Sequence, residues 1–355
     1  MYNLEELLIK LAEKKGSDLH ISVGLPPMAR IDTMIQPFGT EIVTPQMAQE
    51  LIYSILNKKL IEKFERENEL DSSFPISDIG RVRINVFRQR GSVSAALRFI
   101  PQKTFSFEEL NLPKIVYDIV NAPKGLVLVT GATGSGKTTT LASMIDYINS
   151  HRKGHIITIE DPIEYLHTHK KCIVNQREIG QDTNSFASAL KYVLRQDPDV
   201  ILIGEMRDLE TISAAITLAE TGHLVFATLH TMDAASSINR MIDVFPGHQQ
   251  AQVRSQLSLE LKAVFSQNLL PHISGKGMVL ASEVMIVIDS IKNVIREMKT
   301  EQLYSIIQTS RSKGMQTMNQ SLFDNVMKGL ILPQRALEYS TKKEELARLL
   351  QGVIK

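Results

Sequence analysis

The sequence predicts an α/β protein with a small mixed domain first, a mostly parallel sheet next and a helical region last. From about residue 114, short apolar runs alternate with helical stretches, which is typical of a sheet covered by helices on both faces. A glycine-rich motif joins one of these runs to one of these helices. From about residue 289 the pattern is helical throughout. We therefore expect a domain at 1–100, a linker at 101–113, a core at 114–288 and a helical region at 289–355.

The composition is that of an ordinary globular protein. Its 355 residues are enough for two or three domains, and 43% of them are hydrophobic. Lys and Arg number 40 against 39 Asp and Glu, so the charge balance indicates no nucleic-acid partner. The single cysteine, Cys172, excludes a disulfide framework and favours a reducing compartment. No apolar run is long enough to cross a bilayer, so we expect a cytoplasmic protein without an integral membrane segment.

The first region combines helical and strand patterns. Leucines at helical spacing predict a first helix that stops at Gly16, and their positions are Leu4, Leu7, Leu8 and Leu11. A second helical stretch is predicted over residues 45–67. Alternating residues on both sides of Gly91, in 81–86 and 92–98, predict a hairpin with one polar, basic face. Prolines at 101 and 113 bound the linker, which is the expected hinge.

Residues 131–138 match the pattern G-x-x-x-x-G-K-S/T in full, between an apolar strand and an amphipathic helix. Glycines at these positions let consecutive backbone N–H groups converge on phosphates at a helix N-terminus. Lys137 is expected to reach the β- and γ-phosphates, and the Thr138 hydroxyl to hold Mg²⁺. The sequence therefore predicts a site for ATP and Mg²⁺, whose binding residues we expect to be Thr133, Gly134, Ser135, Gly136, Lys137, Thr138 and Thr139.

Three further strands end in groups suited to ATP hydrolysis. Glu205 follows the apolar run 200–203, where it is expected to hold Mg²⁺ through water. Three acids follow the run 156–159, and one of them would act as base toward the attacking water. His230 ends a third run and could sense the γ-phosphate. The alternatives at this stage are a helix cap or surface charge for each acid, and a structural histidine for His223 or His230.

These motifs resemble those of secretion ATPases, most closely the PilT-like retraction motors of type IV pili. The resemblance covers nearly the whole chain and is carried by residues 16–20, 131–138, 159–164, 174–178, 204–211 and 221–231. Residues 291–297 are similar to the A-I-R-N-L-I-R-E motif of the retraction motors, with Ser290, Lys292 and Val294 as departures. Ala132 stands where the family usually has Pro. Extension motors typically have an extra N-terminal domain and a four-cysteine zinc site, so one cysteine favours the retraction type. A sibling retraction ATPase of the PilU kind stays open.

The resemblance implies a homohexameric ring of subunits with a PAS-like N-terminal domain and a RecA-like P-loop domain. It implies Glu164 as the catalytic base, Glu205 as the Mg²⁺-organising glutamate and His230 as the residue of the family's histidine motif. Arginines of the first domain would reach the γ-phosphate, and the candidates on the basic hairpin are Arg81, Arg83 and Arg98; a solvated basic face is the alternative.

The function that the resemblance implies is ATP-driven pilus retraction, with pilus disassembly and twitching motility. The implied partners are a platform protein at the inner membrane, where this chain would be peripheral, and possibly a sibling retraction ATPase. The partner-binding role of Ile291–Glu297 rests on the resemblance alone.

Other classes of function have weaker support. A GTPase switch would need an N-K-x-D motif, and the nearest candidate, 57–60, ends in Leu60 instead of Asp. A nucleic-acid translocase is disfavoured by the net charge of +1. An inactive phosphate loop is disfavoured because every expected catalytic side chain is present. The metal-like spacing of His167, His169 and Cys172 lacks an obvious fourth ligand, so we interpret this segment as a polar loop.

Overall fold

The computed structural model of the chain describes residues 2–14, 16–31, 34–76, 80–100 and 104–351. The chain divides into two compact units, Met1–Lys103 with Pro162–Leu166, and Thr104–Asp161 with His167–Lys355. Both are mixed α/β structures, as predicted. Among the described residues, no helix has the length and apolarity that crossing a membrane requires.

The first unit is built on an antiparallel sheet of six described strands in the order β3-β2-β1-β6-β5-β4. Its elements are α1 (Leu4–Glu13), β1 (Asp18–Ile21), β2 (Met28–Ile31), β3 (Met34–Pro37), α2 (Pro45–Tyr53), α3 (Lys58–Glu67), β4 (Glu69–Ile76), β5 (Gly80–Gln89) and β6 (Ser92–Ile100). The four leucines of α1 are buried against this sheet, as the helical spacing predicts.

Two local signals decide the shape of this unit. The predicted helical stretch 45–67 is interrupted, because Thr44 caps α2 and Asn57 caps a separate helix, α3. The predicted hairpin is confirmed, and its turn residues Arg90 and Gly91 have φ of 51° and 77°. A two-residue loop in which both residues have the left-handed backbone conformation forms a turn whose twist matches that of the two flanking strands. Arg88 lies in β5 and donates to Glu65 on α3.

The second unit contains a sheet of seven described strands in the order β13-β12-β7-β11-β10-β8-β9. Every pairing in it is parallel except that of β12 with β13. Its strands are β7 (Gly125–Thr130), β8 (Gly154–Glu160), β9 (Cys172–Glu178), β10 (Val200–Ile203), β11 (Leu224–Leu229), β12 (Leu261–Pro271) and β13 (Met278–Ile286). The strands β7, β10 and β11 are buried along their whole length, which is why they read as continuous apolar runs.

Helices cover both faces of this sheet and form the C-terminal region. They are α4 (Val116–Val120), α5 (Lys137–His151), α6 (Phe186–Val193), α7 (Leu209–Glu220), α8 (Ala234–Asp243), α9 (Gly247–Glu260), α10 (Asp289–Glu297), α11 (Leu303–Thr309), α12 (Met318–Met327), α13 (Pro333–Tyr339) and α14 (Lys343–Leu350). From 289 onward the described elements are helices and short 3₁₀ turns, as predicted, apart from an isolated bridge of Gln316 to Val284 on β13; residues 352–355 lie outside the described ones. The helices α12–α14 share a separate apolar cluster with β12 and β13.

The described part of the predicted linker belongs to the second unit. Phe107 is 4% exposed, and its ring lies 5.0 Å from that of Tyr117 and 5.1 Å from that of Tyr147 on α5. Leu112 is buried in the same cluster. Residues 101–103 of the linker lie outside the described residues. The domain boundaries and the hinge stay predictions.

Candidate nucleotide site

The loop between β7 and α5 has the backbone that a phosphate cradle requires. Gly134 and Gly136 have φ of 80° and 89°, a region that strains residues with a side chain. A Cβ at Gly131 would lie 2.4 Å from the carbonyl oxygen of Gln267 on β12, so this position has no room for one. Among the described residues no side chain caps the N-terminus of α5. The first turn of α5 therefore has the character of a helix N-terminus that binds an anion.

The side chains of the loop are arranged around the same point. The ammonium of Lys137 donates to the carbonyl oxygens of Gly131 and Ala132 at 2.8 and 2.9 Å, which places it against the loop. Thr133 and Gly134 are exposed, whereas Lys137, Thr138 and Thr139 are half-buried in the first turn of α5. The predicted binding residues are therefore contiguous in space.

The loop fits a phosphate chain. An added Cβ at Gly134 would meet no atom within 4 Å, so the exposed side of the cradle is open. The Ser135 hydroxyl is buried and has no hydrogen-bond partner within the described part of the chain. A buried polar atom without a partner is costly, and a bound phosphate would satisfy it. Anions at an uncapped helix N-terminus also interact favourably with the helix dipole.

Glu205 lies just past the end of β10, where a guanidinium and an imidazole contact it. Arg207 donates to both of its carboxylate oxygens, each at 2.7 Å, and His230 Nε2 lies 3.0 Å from Oε1. The hydrogen bond from Arg207 lowers the pKa of Glu205 against the opposing effect of burial, and His230 and Lys137 lower it further. Glu205 is therefore ionised at neutral pH, as a group that organises a cation must be.

Sheet register explains why Glu205 and His230 meet. β11, which precedes His230, lies between β7 and β10, so the strand ends of the phosphate loop, His230 and Glu205 share one edge. The Thr228 hydroxyl donates to the carbonyl oxygen of Gly204 at 2.5 Å, and Met206 N–H donates to the Thr228 carbonyl at 3.1 Å. These bonds fasten the two strand ends to each other.

Arg207 was missed by sequence reasoning. It lies within the motif 204–211, but we expected no role for it. The one feature of the sequence that could have indicated its role is its position two residues after Glu205. Its guanidinium is exposed, and Arg240 donates to its backbone carbonyl at 3.2 Å.

The acids after β8 have separate environments. Glu160 is buried and accepts from the Thr158 hydroxyl at 2.6 Å and from Gln176 at 3.2 Å, so it is engaged within the sheet. Asp161 and Glu164 are exposed. Glu164 belongs to the segment Pro162–Leu166, which is grouped with the first unit, whereas the phosphate loop belongs to the second. The role of Glu164 as base stays a prediction.

The three candidate arginines share one face of the first unit's sheet, as expected from their alternation. Arg83 on β5 lies directly opposite Arg98 on β6. Each of the three has a partner: Arg81 donates to the Ser73 hydroxyl, Arg83 lies 3.7 Å from Asp71 and Arg98 donates to Asp18 at 2.8 Å. The basic face is therefore lined with acids and hydroxyls, and the finger role of these arginines stays a prediction.

Asp18 is the central acid of this face. Burial opposes its ionisation, but hydrogen bonds from Arg98 and Ser17 more than offset that effect and lower its pKa. Arg30 lies 3.5 Å from its other oxygen. Asp18 thus connects β2, β1 and β6 electrostatically.

Other residues singled out by sequence lie away from this edge. His223 precedes β11, and its Nδ1 lies 3.0 Å from the carbonyl oxygen of Leu218. This local contact favours the alternative that His223 has a structural role. His169 Nδ1 accepts from the Val174 N–H at 3.0 Å, and Cys172 lies near the Arg152 carbonyl. Within the described residues, no group of three or more His, Cys, Asp or Glu side chains is placed to hold a metal ion.

The motif at α10 is largely part of the core. Ile291, Val294 and Ile295 are buried, whereas Asn293 and Arg296 are exposed on the opposite face. Any partner bound by this helix would therefore contact its polar side.

A family model described as type II/IV secretion system protein matches residues 72–338. This chain belongs to that family. It is 50% identical over 336 residues to the type IV pilus retractation ATPase PilT of Pseudomonas aeruginosa, across 95% of this chain and 97% of that protein. It is 40% identical over 347 residues to the type IV pilus ATPase PilU of the same organism, across 98% and 91%.

The fold has a solved counterpart in the same family. The crystal structure of the pilus retraction motor PilT with bound ADP matches with a TM-score of 0.92 and 49% identity, across 98% of this chain and all of that one (100%). The predicted resemblance and the predicted fold class are both confirmed.

Proposed function

We propose that this protein is an ATP-hydrolysing motor that drives retraction of type IV pili. The observation that carries the proposal is the complete phosphate loop on β7 beside the cluster of Glu205, Arg207 and His230 on the neighbouring strand ends. The similarity to a pilus retraction ATPase along nearly the full length of both chains supports retraction as the work performed.

In the proposed reaction the phosphate loop binds and orients ATP. Backbone N–H groups of residues 133–139 would hold the phosphates, and Lys137 would turn from the loop carbonyls toward the β- and γ-phosphates. Thr138 and Glu205 supply oxygen ligands of the kind that Mg²⁺ prefers, Glu205 through water. The ion would neutralise charge on the phosphate oxygens.

The remaining catalytic groups belong to the first unit or to its segment 162–166. Glu164 would accept the proton of the attacking water. Arg81, Arg83 and Arg98 would stabilise the charge that develops on the γ-phosphate, a contribution worth roughly 10³–10⁵ in rate for one such arginine. Hydrolysis then requires the two units to close, and the linker 101–113 is the proposed hinge. This requirement links each turnover to a movement of the chain.

We propose that the chain acts as a homohexameric ring that is peripheral to the inner membrane. A platform protein of the pilus machine would be its partner, with a sibling retraction ATPase as a possible second one. The exposed polar side of α10 is the proposed contact for the platform protein. Nucleic acid is not among the proposed partners.

The test is ATP turnover by the purified full chain with Mg²⁺, together with its mass in solution. We expect a hexamer whose turnover is abolished by Lys137→Ala. Glu164→Gln should retain bound nucleotide but not cleave it, because the amide is not a base. Hydrolysis by the Glu164 variant at the wild-type rate would contradict the assignment of the base, and hydrolysis by the Lys137 variant would contradict the site itself.

An accessory motor is the second candidate, because the chain is also 40% identical to PilU. The higher identity to PilT favours the main motor. Expression of this chain in cells that lack their own main retraction ATPase separates the two. Restored retraction supports the main role, whereas retraction that appears only when a second ATPase is present supports the accessory one.

A further inference from the structure

Glu283 is a buried acid that the proposed reaction does not use. It lies on β13 and is 4% exposed, so its carboxylate is removed from water. Burying a carboxylate is expensive unless specific bonds compensate for it. The contacts of this side chain therefore indicate what it holds in place.

Glu283 accepts a hydrogen bond from the first residue of α8. Its Oε1 lies 2.9 Å from the backbone nitrogen of Ala234, where this helix begins. The first N–H groups of a helix have no partner within it, and a negative charge there interacts favourably with the helix dipole. The backbone N–H of Met318, where α12 begins, also lowers the pKa of the carboxyl. Glu283 thus caps α8 from β13.

The helix α8 begins directly after the segment that carries His230. In this segment the hydroxyls of Thr231 and Ser237 are 2.6 Å apart, and Asp233 forms a capping box with Ser236. The segment 231–233 is therefore fixed to the first turn of α8. A shift of that turn would move His230, which lies 3.0 Å from Glu205.

The helix α12 is bound to β13 by hydrogen bonds of other residues. Ser321 accepts from the Ser282 N–H at 3.0 Å, and Asn325 donates to the Leu280 carbonyl at 2.9 Å. α12 thus does not depend on Glu283 for its position. At α8, by contrast, Glu283 supplies the bond from β13 to the first helical residue.

Charged and titratable groups around Glu283 come from three elements. Asp233 at the start of α8 raises its pKa, whereas Lys342 before α14 lowers it. Tyr304 on α11 also interacts with it electrostatically. Burial is the largest influence and raises the pKa of Glu283 to about 7. An apolar side chain would avoid this cost but would leave the first N–H of α8 without this acceptor.

We propose that Glu283 is a positioning residue for ATP hydrolysis, which holds the first turn of α8 so that His230 keeps its contact with Glu205. The inference rests on the proposed function, because it assigns His230 and Glu205 to the hydrolysis site.

The test compares Glu283→Gln with Ser321→Ala in the full chain. The glutamine keeps the size of the side chain and one acceptor oxygen but removes the negative charge, so its hydrogen bond from the Ala234 N–H is weaker and its interaction with the dipole of α8 is lost. Ser321→Ala removes a bond between β13 and α12 and leaves α8 untouched. We expect Glu283→Gln to lower kcat about fivefold, the difference between a hydrogen bond to a charged group and one to a neutral group, with a smaller change in KM. Ser321→Ala should stay within about twofold of wild type, as expected for one neutral hydrogen bond far from the site.

Two further readouts separate positioning from a general loss of stability. In a His230→Ala background, Glu283→Gln should cause no further fall in kcat, because the two changes act through one contact. Backbone hydrogen exchange over residues 230–236 should be faster in Glu283→Gln and unchanged in Ser321→Ala.

Full turnover by Glu283→Gln would overturn the inference, as would an equal loss in the His230→Ala background. Failure of the proposed function has a different signature, which is wild-type turnover no faster than that of Lys137→Ala. In that case hydrogen exchange still decides whether Glu283 holds this segment, and unchanged exchange over 230–236 would overturn the inference.

Discussion

The phosphate loop of the second unit and the arginine face of the first are held in place by different forces. The loop is formed by glycine backbone between a buried strand and a helix, with the wall of β12 behind Gly131. The arginines are held by side-chain partners, and of the two acids among these Asp18 is more buried than Asp71. The loop is therefore preformed, whereas Arg98 and Arg83 would have to leave an acid in order to reach the γ-phosphate in their proposed role. The two regions predict different responses to mutation.

The largest expected effect comes from removing an arginine of the face. Arg98→Ala or Arg83→Ala should lower kcat by about 10³, the lower end for an arginine that contacts the γ-phosphate. Nucleotide binding should persist, because the loop belongs to the other unit. The control is Arg88→Ala: Arg88 is on β5 but bonds to Glu65 and Asn68, and its loss should leave kcat unchanged within about twofold. Equal turnover in all three variants would contradict a catalytic role for Arg98 and Arg83, and the arginines would then be interpreted as a solvated basic face.

Mutations in the phosphate loop should instead lower activity by distorting its backbone. Gly131→Ala places a Cβ against the Gln267 carbonyl, and displacing the cradle by about 1 Å is enough to lower kcat about 10²-fold. Affinity for a fluorescent ATP analogue should fall with it, unlike in the arginine variants. Gly247→Ala is the matched control, since an added Cβ there meets no atom within 4 Å. Unimpaired binding by Gly131→Ala would show that the cradle is not rigid.

A smaller effect is expected from releasing an arginine. Asp18→Asn removes the carboxylate that Arg98 contacts at 2.8 Å, and Arg98 is 72% exposed, so the pair is a weak one. If Arg98 must leave Asp18 during each turnover, the variant should hydrolyse ATP roughly two- to fivefold faster. This rate increase is what the usual interaction energy of an exposed ion pair gives when that pair no longer has to be broken. Steady-state kinetics against Asp71→Asn, the partner of Arg83, would sharpen the assignment. Slower turnover would mean that Asp18 orients Arg98 for catalysis.

The smallest effect concerns stability against pH, where the two units should respond in opposite directions. The pKa of Asp18 is below its ordinary 3.8, so its stabilising contribution is present above that value and is lost as the pH falls further. The pKa of Glu283 is raised from 4.5 to about 7, so its contribution is present below 4.5 and is lost as the pH rises through about 7.

Thermal unfolding checks both signs. Relative to wild type, Glu283→Gln should show a smaller fall in Tm between pH 5 and 7. Asp18→Asn should show a smaller fall in Tm below pH 4. Parallel Tm curves for a variant and wild type would contradict the assignment for that residue.

Much of the fold could be predicted where a local pattern carries the information. The leucines of α1, the hairpin around Gly91 and the three buried strands of the second unit all follow from spacing. β12 was missed because Ser266 and Gln267 interrupt its apolar pattern, although both are buried. Inside the sheet Ser266 bonds to Thr130 at 2.9 Å, and Gln267 donates to Thr140 on α5 at the same distance. Polar residues that are satisfied by distant partners look like loop residues in a sequence.

The strands β1 to β4 were missed for a related reason. They are short or amphipathic, and the exposed edge strand Met34–Pro37 has no buried face to mark it. The break between α2 and α3 depends on Asn57, which signals a cap only when the chain actually turns there.

For the site, the sequence by itself determined the phosphate loop, the acids at strand ends and the alternation that places three arginines on one face. These features depend on neighbours along the chain, and helix and strand periods make such neighbours predictable. Only the tertiary structure decided that Arg207 and His230 meet at Glu205, and that Glu283 on β13 caps α8. Those contacts depend on strand order and register, which are set by packing between segments far apart in sequence.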